Sequence, residues 1–165
     1  MRVYLDTNII IAMFEGKAEF RAPLIELIAG AEPRDTPFFF TSELTLAETL
    51  AQPYRTGNDT LITQYDNFLR TNGMIEVGPI DRSVLYYAAV IRGAYTGLKL
   101  PDAIHLSAAI GAQCSHFLTA DMDFKGTYSI AHTRHGVTRG PVEVSVLRPE
   151  AATFHELTKF SRHDR

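Results

Sequence analysis

Four acidic residues, Asp6, Glu48, Asp102 and Asp121, stand where a chain of alternating strands and helices can bring them together, and Asp123 is a candidate fifth. Carboxylates gathered in one place repel each other, so a site that holds several needs protons or cations to neutralise it. Oxygen ligands without accompanying Cys or His pairs favour Mg2+ or Mn2+ over Zn2+. One or two such ions would grip a phosphodiester, lower the pKa of a water and stabilise the leaving oxygen of an in-line displacement. The chemistry these residue types suggest is therefore metal-assisted phosphodiester hydrolysis. Thr7 and Thr119 are supporting hydroxyls able to orient a carboxylate, a water or a phosphate, and Asn8 stands beside them. Each acid also has a purely structural reading. Asp6 and Asp102 suit helix starts, Glu48 suits a solvated helix face, and Asp121 and Asp123 suit an Asx turn after a strand.

The elements that must position these groups follow from periodicity. Val3-Tyr4-Leu5 is a short β-favouring run closed by Asp6, and Asn8 is a preferred N-cap ahead of the apolar stretch Ile9 to Phe14. Ala22 to Ala31 reads as a second amphipathic helix. Phe38 to Thr41 predicts a buried strand, its aromatic run serving the core and not a base-stacking platform. Ser42 then caps a short helix over Glu43 to Ala51, ended by Pro53, with Glu48 toward its packed side. Asn58 caps a helix that Asn72-Gly73 stops, Met74 to Val77 is a third strand, and Asp81 caps a helix reaching to Gly97. Leu100-Pro101-Asp102 opens an apolar, central helix through Ile110, on which His105 reads as a packing or hydrogen-bonding histidine.

His116 to Thr119 predicts a fourth strand, again ending in acids, Asp121 and Asp123. Lys125 to Gly140 reads as a loop with a short strand at Tyr128 to Ile130, and Val142 to Leu147 as a late edge strand. Ala151 to Phe160 reads as a weak helix that gives way to a polar tail. The alternation predicts a three-layer α/β/α sandwich on a mainly parallel sheet, in which strand ends collect functional groups. The expected division is a single domain over 1–148 and a helical or flexible tail over 149–165.

With 165 residues, 45% of them hydrophobic, the chain suits one well-packed core. A net charge of −3 neither suggests nor excludes nucleic acid, because local patches decide. Cys114 is the lone cysteine, which excludes an intramolecular disulfide and disfavours a thiolate zinc site. Apolar runs are too short for a membrane span and no signal peptide is evident, so the cytoplasm is the expected location.

Four ordered pieces resemble the PIN domain of VapC-type toxins: Tyr4 to Asn8, Thr41 to Glu48, Leu100 to Leu106 and Leu118 to Phe124. The resemblance implies a PIN-like fold whose metal-binding acids are Asp6, Glu48, Asp102 and Asp121, with Asp123 as a further ligand and Thr119 in support. It implies Mg2+- or Mn2+-dependent cleavage of single-stranded or structured RNA, a homodimer, and a cognate antitoxin within a toxin–antitoxin system. Lys125, Arg134 and Arg139, in a span free of Asp and Glu between Phe124 and Glu143, are candidate phosphate contacts. Two rival readings stand beside this one. A non-catalytic PIN-like RNA- or protein-binding module needs no converging acids. A phosphatase using Asp6 as nucleophile lacks its second aspartate, since Asn8 occupies that position.

Overall fold

The computed structural model describes residues 1–163. In chain order the elements are β1 (Val3–Leu5), α1 (Thr7–Glu15), α2 (Ala18–Ala29), β2 (Phe39–Ser42), α3 (Glu43–Thr56), α4 (Asp59–Phe68) and β3 (Ile75–Gly78). There follow α5 (Arg82–Ala94), α6 (Leu100–Gly111), β4 (His116–Leu118), β5 (Thr127–Arg134), β6 (Val137–Leu147) and α7 (Ala151–His163). The strands form one sheet in the order β3-β2-β1-β4-β6-β5, parallel except for the antiparallel β5 at its edge.

Strand periodicity explains the three layers. Successive side chains point to opposite faces, and both faces of these short strands are covered. Val3, Leu5, Phe39 and Leu118 face one core, packed with Ile9 and Ile10 of α1, Leu24 and Leu27 of α2, Tyr65 of α4, and Phe154 and Leu157 of α7. Tyr4, Phe40 and Phe117 face the other, with Ala88 and Ile91 of α5 and the apolar length of α6. This is the expected α/β/α sandwich on a mainly parallel sheet.

Several boundaries differ from the sequence reading. Asp6, not Asn8, caps α1: its side chain accepts from the Thr7 amide, so the helix starts two residues earlier. α3 runs through Pro53 to Thr56 and ends on Gly57, whose φ of 66° is left-handed. Proline forfeits one helical hydrogen bond, and buried Pro53 is held within a helix that packs on α4. Ser42 precedes α3 without capping it, because its hydroxyl turns to Tyr4 Oη at 2.8 Å.

The expected loop over Lys125 to Gly140 is instead most of a long hairpin, and β6 is not an edge strand but lies between β4 and β5. Its register shifts between Ile130 and His132, opposite Gly140. Gly140 has a φ of 94°, and a Cβ there would come within 2.5 Å of the Ile130 carbonyl oxygen, so glycine is required. α7 is longer than expected. The polar end of the expected tail, residues 164 and 165, lies outside the described residues.

Candidate active site

The register fixes where the acids emerge. Leu5 and Leu118 are paired, so the residues after them leave β1 and β4 on the same edge of the sheet. Asp6 is 5% exposed and fully engaged. It accepts from the Thr7 amide at 2.8 Å, from Asn8 Nδ2 at 2.6 Å and from Thr119 Oγ1 at 2.6 Å. Asn8 also donates to Thr119 Oγ1 at 3.0 Å and accepts from the Ala120 amide at 2.9 Å, which ties the end of β1 to the end of β4. The supporting trio Thr7, Asn8 and Thr119 thus surrounds Asp6 directly.

Glu48 reaches the same edge from α3. It accepts from the Thr7 hydroxyl and, at 2.9 Å, from His105 Nε2. His105 sits one turn along α6 from Asp102, 2% exposed, with Nδ1 at 2.7 Å from Tyr4 Oη. A carboxylate can only accept, so Nε2 carries the hydrogen toward Glu48 and Nδ1 accepts from the tyrosine. Burial raises the Tyr4 hydroxyl far above its ordinary pKa and keeps that donor protonated. The chain Ser42, Tyr4, His105, Glu48 therefore fixes the imidazole orientation from beneath.

Asp121 and Asp123 follow β4 in a tight turn. The Asp121 amide donates to Thr119 Oγ1 at 2.9 Å, and Asp121 Oδ1 accepts from the Asp123 amide at 2.8 Å. Arg148, directly after β6, clamps this loop by donating to the carbonyls of Thr119 at 3.2 Å, Asp121 at 2.6 Å and Phe124. Asp123 pairs with Lys99 at 3.1 Å, an exposed contact that salt screens.

The electrostatics show which acids feel one another. Burial raises the Asp6 carboxyl above its ordinary value, outweighing the opposing influence of His105 and the hydrogen bonds from Thr119 and Thr7, and Glu48 adds repulsion. Burial also raises Asp102, helped by repulsion from Asp121 and Asp6 and opposed by the Lys99 backbone and ammonium. Glu48 is half-buried, yet the hydrogen bonds from His105 and Thr7 outweigh that burial and its carboxyl lies below the ordinary value. Among the described residues, no three His, Cys, Asp or Glu groups are drawn together closely enough to hold an ion as they stand. Their oxygens instead point into hydrogen bonds with one another's neighbours.

Of the three basic candidates, Lys125 lies just beyond the loop held by Arg148. Arg134 and Arg139 lie elsewhere, on the half of the β5–β6 hairpin that runs past the opposite edge of the sheet. Sequence reasoning left His105 among structural histidines, although its spacing from Asp102 was a usable signal. It missed Arg148, for which a lone arginine after a strand gave none.

The fold and this edge define a small α/β protein with an acidic site at the carboxyl ends of its parallel strands. The PIN domain profile matches residues 3–129, and the chain belongs to the PIN domain family. Comparison with curated protein sequences returned no significant match. Similar solved structures include a toxin–antitoxin complex from Klebsiella pneumoniae, at 21% identity over 72% of this chain and 86% of that one, with a TM-score of 0.54. Mycobacterium tuberculosis VapC20, a sarcin–ricin loop cleaving toxin, aligns at 17% identity over 73% of this chain and 91% of that one, with a TM-score of 0.56. FitAcB from Neisseria gonorrhoeae aligns at 18% identity over 72% and 87%, with a TM-score of 0.51. At these identities the likeness is one of fold. No helix among the described residues is long and apolar enough to cross a membrane.

Proposed function

We propose that this chain is a Mg2+- or Mn2+-dependent endoribonuclease that hydrolyses phosphodiester bonds of single-stranded RNA. In this reading it is the toxin of a toxin–antitoxin pair, works in the cytoplasm as a homodimer and is restrained by a cognate antitoxin. The observation that carries the reading is that Thr7 joins Asp6 to Glu48, and Thr119 joins Asp6 to the turn of Asp121, on one edge of a PIN-domain sheet where Asp102 feels the charge of both Asp6 and Asp121. The fold likeness to the Klebsiella complex and to VapC20 supports the toxin role.

The donor set fits a hard dication. All its atoms are carboxylate oxygens, and the burial, with the added repulsion, that raises Asp6 and Asp102 is a cost a cation would relieve. Asp6, Glu48, Asp102 and Asp121 would hold one or two ions, with Asp123 adjoining. Such ions, when bound, supply neutralising charge and an activated water. The chain supplies the rest. Thr7, Asn8 and Thr119 set the Asp6 carboxylate, His105 and Thr7 set Glu48, and Arg148 holds the loop of Asp121. Lys125 offers a cation to a substrate phosphate. Residues 1–148 are the nuclease unit, and the segment from 149 onward buttresses it through α7.

The test is cleavage of a labelled single-stranded RNA with Mn2+, Mg2+ or EDTA, comparing the wild type with Asp6→Asn. Cleavage that needs the metal and falls by roughly 10²-fold or more in the variant is expected. A folded protein that neither cleaves RNA nor binds Mn2+ would turn the reading to a non-catalytic PIN-like module.

A further inference from the structure

The acidic edge poses a binding problem for the proposed substrate. Five carboxylates, Asp6, Glu48, Asp102, Asp121 and Asp123, face an RNA backbone with few cations beside them, so affinity must come largely from elsewhere on the chain. A suitable surface exists at the other end of the sheet. Residues near the start of α5, the last turns of α6 and the outer half of the β5–β6 hairpin enclose a groove of about 1070 Å³. Three guanidinium groups line it, from Arg82, Arg134 and Arg139, against the carboxylate of Asp81, which is committed to the amides of Ser83 and Val84 at the α5 cap.

Aromatic faces interleave with these charges. Arg134 lies over the Tyr86 ring at 5.8 Å and donates to its hydroxyl at 3.0 Å. Tyr87 meets the ring of His132 edge-on at 5.6 Å. His132, whose Nδ1 is buried without a hydrogen-bond partner, is itself part of the lining. Guanidinium groups for phosphates and ring faces for bases are the two components of single-strand recognition, whereas an acidic peptide would use only the first. The outer hairpin also lies beyond the residues that match the family profile.

We propose that this groove is a single-stranded RNA exosite, separate from the carboxylate edge. The choice of RNA rests on the ribonuclease reading. β6 from Arg139 to Leu147, which is level with the end of β1, covers roughly 25 Å at the ordinary rise of a strand. A strand held in the groove thus approaches the acids only if it is several nucleotides longer than the part being cut.

The experiment is fluorescence anisotropy with a labelled uridine-rich RNA of about 16 nucleotides, titrated with full-length protein in EDTA so that cleavage does not intervene. The double variant Arg82→Gln/Arg139→Gln alters exposed side chains and keeps the wild-type circular dichroism. It is expected to bind roughly tenfold more weakly, with a salt slope shallower by about 1.4, since each single-strand phosphate contact contributes about 0.7. Tyr86→Ala weakens binding with the salt slope kept, and Arg21→Gln, on the exposed face of α2, binds as the wild type does. Wild-type affinity and slope in the double variant would overturn the exosite and leave the nuclease reading standing. So would displacement of the RNA by a glutamate-rich peptide at equal concentration, which would make the groove a site for acidic protein segments. The expected binding losses in a protein that never cleaves RNA with Mn2+ would uphold the exosite and sink the nuclease reading.

Discussion

At the carboxyl edge of the sheet Asp6 is 5% exposed and accepts three hydrogen bonds, whereas on the outer hairpin Val137 is 59% exposed and the strands pack on little of the core. The first region spends its side chains on satisfying one another, because a buried charge without partners costs several kcal/mol. The second has no such obligation and carries its arginines at the surface, Arg134 against the Tyr86 ring. A site for chemistry is rigid and over-determined, and a site for capture is open and tolerant. The two ends of this sheet differ in that way.

Four substitutions would break or sharpen the contrast. The largest effect is expected for Phe117→Ala, since Phe117 is 0% exposed and stacks between Tyr4 at 4.9 Å and Phe124 at 4.8 Å, directly beneath the acids. Urea denaturation should register a loss of about 3–5 kcal/mol. The matching Val137→Ser change on the hairpin should stay within about 0.5 kcal/mol. Equal losses would mean that the hairpin is as integral to the fold as the core.

Next comes His105→Gln. It removes the imidazole that joins Tyr4 to Glu48, and cleavage should fall by roughly 10–100-fold, the usual cost of losing a group that orients a ligand. His105 helps hold the Glu48 carboxyl below its ordinary value, so its loss should move the acidic limb of the pH–rate profile to higher pH. An unmoved limb would separate Glu48 from the rate.

The smallest effect is expected for Asp102→Asn without metal. The Asp102 carboxyl is raised on folding, so the native charged form carries a penalty at every pH above its folded pKa, and that penalty vanishes below the unfolded value. The variant should therefore melt slightly higher than the wild type at neutral pH, on the order of a degree after allowance for solvent screening, with the gain disappearing as pH falls through the ordinary carboxylate range. A gain that persisted in acid would point to packing and not charge.

Legibility in the sequence followed the same divide. Val3 to Leu5, Phe39 to Phe40 and the apolar α6 announce themselves because buried elements carry a period, and the acids at their ends could be found from those elements alone. Asn58 and Asp81 were legible as caps because their side chains do bond the amides of Leu61 and of Ser83 and Val84. The outer hairpin was not legible: most of β6 is exposed, so no apolar alternation records it, and Gly136, Gly140 and Pro141 read as loop residues. Pro53 misled for a related reason, since local stop signals do not register the packing that carries α3 past them. Arg148 was invisible because its role depends on a loop that precedes it by an entire hairpin.

That last contact has a temporal consequence. A growing chain that has reached Phe124 already carries all five acids, but the turn bearing Asp121 gains its Arg148 clamp only after β6 has been made and laid between β4 and β5. Translation therefore delivers the acids first and their clamp last. A chain halted between the two would carry the full acidic set on a loop that Arg148 has yet to clamp, a built-in delay for the nuclease activity proposed above.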